Sequence, residues 1–101
     1  GHLFISGHVP IDPKTGKIVD GGIKEQTDQV MKNIGEILKA AGYTYDNVVK
    51  STCLLNDMEN FTAMNEVYAK YYPNNPPARA AYGVVKLPLG AMVEIETIAM
   101  K

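Results

Sequence analysis

The sequence predicts an α+β domain built as a two-layer sandwich, helices against a sheet. Three observations predict it. Apolar residues recur at helical spacing in two windows, 23–41 and 61–72. They recur with β-type patterning in segments near 3–5, 48–55, 78–85 and 92–100. Clusters of Gly, Pro, Asn and Asp separate these windows. The predicted order is β-(β)-α-β-α-β-β in one domain spanning 1–101, with no repeat, linker or low-complexity tract.

Each element has a local reason. Leu3-Phe4-Ile5 is β-branched and aromatic and runs into Ser6-Gly7, which predicts a first strand. Pro10-Ile11-Asp12-Pro13-Lys14-Thr15-Gly16 is turn chemistry, and Lys17-Ile18-Val19 is the candidate return strand of a hairpin. Asp20-Gly21-Gly22 breaks that segment. Ile23, Thr27, Val30, Ile34, Ile37, Leu38 and Ala41 then form a helical stripe, and Gly42 suits its stop. Lys24, Glu25, Asp28, Lys32 and Glu36 fall mainly on the opposite, solvated face.

Val48 to Leu55 predicts a strand with Val49, Ser51, Cys53 and Leu55 on one face and Val48, Lys50, Thr52 and Leu54 on the other. Asn56-Asp57 closes it and is placed to cap the next element. Phe61, Met64, Val67, Tyr68, Tyr71 and Tyr72 mark a second helix, ended by Pro73-Asn74-Asn75-Pro76-Pro77. Ala78 to Val85 and Met92 to Met100 predict two further strands around Leu87-Pro88-Leu89-Gly90.

Composition bounds the function. The chain has 101 residues, 46% hydrophobic and 21% charged, enough for one core. A net charge of −1 supplies no field for a nucleic acid, so that partner is not expected. Cys53 is the single cysteine, so no intrachain disulfide can form. A reducing compartment is the expectation, the cytoplasm first and the mitochondrion as the alternative. No apolar run reaches the length of a membrane span, neither helix has a continuous basic face, and no signal-peptide pattern is present. His2 and His8 make no metal set, and no phosphate loop occurs, so no metal or other cofactor is expected. An apolar strand so near a start without methionine predicts that an N-terminal segment precedes this sequence; the other reading is a domain start carrying a leftover Gly-His.

The last two strands point to function. On the final strand Val93, Ile95, Thr97 and Ala99 suit packing under helices, while Met92, Glu94, Glu96, Ile98 and Met100 share the other face. A face open to water seldom carries Met, Ile and Met, and a core face seldom carries two glutamates. A subunit interface with a partly polar pocket accommodates both. Arg79, in a strand of small residues, shares a face with Ala81, Gly83 and Val85, with Ala78, Ala80, Tyr82 and Val84 opposite. An arginine there calls for an anionic partner, either Glu94 or Glu96 in a structural ion pair or the carboxylate of a ligand.

LFISGHVPIDPKTGKIV, NIGEILKAAG, VVKSTCLLNDMENFTAMNEVYAKYY and PPARAAYGVVKLP with VEIETIA resemble the RidA/YjgF family over nearly the whole chain. Its older name is the endoribonuclease L-PSP or translation-inhibitor family. The resemblance implies a chorismate-mutase-like fold, a mixed sheet with two helices on one face. It implies a homotrimer with ligand pockets in the clefts between subunits. It implies hydrolytic deamination of reactive enamines and imines, such as 2-aminoacrylate released by pyridoxal-phosphate enzymes, to 2-keto acids and ammonia. Arg79 matches the arginine that grips the substrate carboxylate, and Glu94 the glutamate associated with the hydrolytic water. Ser6 and Gly7 match a pocket-lining pair, and Phe61 and Asn65 match pocket residues of some members. A pocket tyrosine of the family has no counterpart because it lies upstream of Gly1. Ala81 stands where many bacterial members have cysteine, so the chemistry here cannot require a thiol at that position.

Each assignment has a plainer rival. Glu94 could orient or deprotonate a water, with positioning outweighing base strength because an imine is already electrophilic; or it could be a solvated carboxylate. Glu96 shares its face without the family match and is expected to be structural. Ser6 and Gly7 could simply end a strand. Core or capping roles compete for Phe61 and Asn65. Tyr82 is expected in the core, and Cys53 as a small buried hydrophobe. The alternatives to the deaminase are an endoribonuclease, a non-catalytic sensor of small carboxylates, and a chaperone-like or structural trimer.

Overall fold

The computed structural model describes residues 1–101. Strand β1 spans His2–His8, helix α1 Ile23–Ala40, β2 Val48–Leu55, α2 Phe61–Lys70, β3 Ala78–Gly83 and β4 Val93–Met100. The four strands form one mixed sheet in the order β1-β4-β2-β3. β4 is antiparallel to both β1 and β2, whereas β2 and β3 are parallel and joined through α2.

Both helices lie on the same face of this sheet. Val30, Met31, Ile34 and Leu38 of α1 and Met64 and Tyr68 of α2 join Ile5, Cys53, Leu55, Val93, Ile95 and Ala99 of the strands in a single buried cluster. The alternation expected for the last strand holds: Val93, Ile95, Thr97 and Ala99 are all buried. The buried set of α1 differs from the expected stripe at four places. Met31 joins it, and Gln26 is buried because its Oε1 accepts the Met92 N–H at 2.9 Å, tying α1 to the entry of β4. Ile37 is only partly buried and Ala41 is exposed.

The helix ends match the local chemistry. Glu25 Oε1 accepts the Gly22 N–H at 2.8 Å, satisfying a donor before the first turn. At the other end Tyr43 N–H donates to the Leu38 carbonyl and Gly42 N–H to that of Lys39, with Gly42 at φ 81°. This is a Schellman closure, which favours glycine at that position. Asp57 caps the 3₁₀ turn that leads into α2, accepting the Glu59 N–H at 2.9 Å.

Four expectations need correction. Lys17-Ile18-Val19 forms no strand; Ile18 makes one isolated bridge to Ile11. Pro10 and Pro13 lack the N–H groups that a longer ladder would use. Val48 is buried and Val49 is 41% exposed, the reverse of the simple alternation. The register against β4 shifts between Val48 and Lys50, and that bulge inverts the faces at the strand's start. Tyr82 is 58% exposed on the face away from the helices. The third strand ends at Gly83, leaving Val85 fully exposed.

Candidate active site

Two groups of the expected site residues come together, on opposite faces of the sheet. The first centres on Arg79. Its register partner on β2 is Ser51, which is buried under the helices, so the arginine rises on the helical side, at the sheet edge beside α2. Its guanidinium carbon lies 5.2 Å from the centroid of Phe61 and 5.1 Å from that of Tyr68. Arg79 Nη1 donates a hydrogen bond to Asn65 Oδ1. Phe61 and Asn65 are thus arginine contacts, and Phe61 also packs partly against the core, as its plainer reading expected. No carboxylate comes within ion-pair distance of Arg79; the chain's two ion pairs are Lys24–Glu66 and Lys32–Asp28. A cavity of about 310 Å³ opens here, lined by Arg79, Asn65, Tyr68, Tyr72, Pro76 and Pro77.

The second group centres on Glu94. Its register partner is Leu54, which in turn opposes Tyr82, so Glu94 stands on the face without helices. The pairing of β1 with β4 shifts between Ile5 and His8, placing a bulge at Ser6-Gly7. The Glu94 side chain lies directly over Gly7: a Cβ built there would meet Glu94 Cδ at 2.9 Å. Glycine at this position is what lets the carboxylate approach the backbone. His8 comes next, half-buried; burial lowers its pKa and the Glu94 carboxylate opposes that shift. Ser6 lines a separate cavity of about 260 Å³ on the same open face with Phe4, Lys50, Thr52, Glu96 and Ile98.

Within one chain, therefore, Glu94 is not the partner of Arg79. An Arg79–Glu94 or Arg79–Glu96 ion pair is excluded by the sheet between them. Ala81 is on the arginine's side, paired across the strands with Cys53 and packed partly against the core. The Cys53 thiol is fully buried, and burial pushes its pKa up to about 11 despite the nearby Arg79 cation. No three His, Cys, Asp or Glu side chains gather where they could hold a metal ion. No helix is long and apolar enough to cross a membrane.

Sequence reasoning missed Tyr68 as an arginine contact and assigned it only to the helical stripe. The available signal was spacing: Phe61, Asn65 and Tyr68 are i, i+4 and i+7 on α2 and share one face.

The family model described as Endoribonuclease L-PSP matches residues 1–101. The chain is 56% identical over 99 residues to a RutC family protein of Pyrococcus horikoshii, covering 98% of this chain and 79% of the relative. It is 52% identical over 99 residues to the 2-iminobutanoate/2-iminopropanoate deaminase of Mus musculus, covering 98% and 73%. The crystal structure of RidA from the Antarctic bacterium Psychrobacter sp. PAMC 21119 superposes with a TM-score of 0.95 at 40% identity, covering 99% of this chain and 80% of that one.

Proposed function

The chain belongs to the Endoribonuclease L-PSP (RidA/YjgF) family, and from that premise we propose that it deaminates 2-imino acids hydrolytically, at sites shared between subunits of a homotrimer. The observation that carries this reading is the separation of Arg79 from Glu94. The arginine keeps its charge free of any carboxylate in its own chain, and the glutamate stands on the opposite face of the sheet. Arg79 of one subunit set against Glu94 of the next resolves that separation.

In this site Arg79 presents its remaining N–H groups to the substrate carboxylate as a planar fork. The imine carbon, next to that carboxylate, is thereby held near Glu94 of the neighbouring subunit. Glu94 accepts a proton from water as the water oxygen bonds to the imine carbon, and the C=N π electrons move to nitrogen. Glu94 returns that proton to the nitrogen, giving a neutral carbinolamine. The hydroxyl proton then passes to the nitrogen by way of Glu94 as the C–N bond breaks, so that ammonia leaves, the oxygen becomes the carbonyl of a 2-keto acid and the carboxylate is regenerated. An enamine such as 2-aminoacrylate enters the same path after tautomerising to its imine. Ser6 and the backbone at Gly7 border the glutamate, Phe61 and Asn65 border the arginine, and Ala81 contributes space without a thiol. None of these steps calls on a metal or an organic cofactor.

Mixing two inactive variants tests the shared site. Arg79→Ala and Glu94→Gln are each expected to lose turnover of enzymatically generated 2-iminobutanoate. Co-refolded in equal amounts, they should regain about a quarter of wild-type activity, because one interface in four then joins an intact Arg79 to an intact Glu94. Absence of any recovery in mixed trimers would place both residues' functions in a single chain and remove the proposal. The family's description favours a second reading, RNA cleavage. The net charge of −1 gives no overall attraction for a polyanion. RNA cleavage that rises with purity and falls in Arg79→Ala would support it over deamination.

A further inference from the structure

We infer that Phe61, Asn65 and Tyr68 form a neutral cradle for the Arg79 guanidinium, and that Tyr68 is a positioning residue of the reaction. This rests on the arginine-anchor reading above and deepens it. Phe61 and Tyr68 stand seven residues apart on α2, about 10 Å along the helix axis. The guanidinium carbon is 5.2 Å from one ring centroid and 5.1 Å from the other, so it is shared about equally by the two. Asn65 occupies the same stripe between the rings, and its Oδ1 accepts from Nη1.

Every member of this cradle is uncharged. An arginine needs its cation held, and the usual holder is a carboxylate, which would compete with an anionic substrate for the same fork. Two ring faces and one amide oxygen hold it by quadrupole and dipole instead, leaving the full charge and most of the five donors for a ligand. The part of Tyr68 in use is its ring. Its hydroxyl is buried near Ser51, makes no hydrogen bond in the structure, and has its pKa raised chiefly by that burial.

Three variants and two measurements test the cradle. Tyr68→Leu should raise KM for the imino acid about three- to thirtyfold, the scale of one lost cation–π contact. Its kcat should stay within about twofold, as expected when uniform binding is removed. Tyr68→Phe should restore KM. Asn65→Asp keeps the shape and adds a carboxylate at the guanidinium, so it should raise KM at least as much. Equal loss in Tyr68→Phe and Tyr68→Leu, or a fall in kcat without a rise in KM, overturns the proposal. If Tyr68→Leu does not fold, an unaltered KM in Asn65→Asp does the same.

The second measurement is independent of turnover. The Arg79 Nε–H of the ¹⁵N-labelled protein should be ordered and slow to exchange in the wild type and in Tyr68→Phe, and motionally averaged in Tyr68→Leu. Order retained in all three refutes the cradle even if deamination is confirmed. Order lost only in Tyr68→Leu supports the cradle even if the wild type proves to turn over no imine, which would count against the deaminase alone.

Discussion

Gly7 shows how one missing methyl group can decide where a carboxylate sits. The backbone at the β1 bulge leaves room for the Glu94 carboxylate only because no Cβ projects there. Gly7→Ala should fold, since its φ is not in the left-handed region and the group it meets is the end of a flexible side chain. It should nevertheless push Glu94 aside and lower kcat by roughly a hundredfold, the scale expected for a misplacement of about 1 Å. Steady-state kinetics with a thermal melt checks this; an unchanged kcat would detach Glu94 from the chemistry. The sequence made Gly7 and Glu94 separate candidates. Their contact was not legible in it, because 87 positions separate them and a bulge sets their register. Arg79 was legible as a charge without an obvious partner, but its neutral partners on α2 were not, because nothing local ties that helix to β3.

At the scale of elements, period and punctuation carried most of the information. The alternation of Val93, Ile95, Thr97 and Ala99 and the Gly42 stop of α1 both stand in the structure. What period cannot reveal is an extra residue in one strand, which belongs to the pairing of two strands and not to either alone. The bulges at Ser6-Gly7 and Val48-Val49 are of this kind. Gly35 is a second instance of tertiary override. Within an α-helix, alanine outranks glycine by about 1 kcal/mol. Here the Tyr45 ring crosses α1 at Gly35, its hydroxyl donating to the Met31 carbonyl at 2.6 Å, and a Cβ would meet Tyr45 Cζ at 2.8 Å. Gly35→Ala should therefore destabilise the fold by about 1–3 kcal/mol of overpacking less the propensity gain. Urea denaturation measures the difference, and a net stabilisation would show that Tyr45 swings away freely.

For the whole molecule the decisive feature is the uncovered face of the sheet. Phe4 is 72% exposed there, with Tyr82 and Met100 also exposed and Ile98 at the rim of a cavity. This is the apolar face that the proposed subunit contact would cover, and the separation of Arg79 from Glu94 is what that proposal explains. If the proposed trimer forms through this face, Ile98→Arg should reduce a three-chain mass in analytical ultracentrifugation to that of one chain and abolish the proposed deamination, with Arg79 and Glu94 untouched. A single-chain protein with full activity would end the shared-site reading. The sequence by itself determined the elements, the helix-facing set of β4 and the residue types of the candidate chemistry, because these depend on periods of two and 3.6 and on local backbone chemistry. Only the tertiary structure decided which residues meet: Arg79 with Phe61, Asn65 and Tyr68, and Glu94 with Gly7. Strand order, bulges and the crossover through α2 set those meetings, and each depends on contacts between segments that no local pattern encodes.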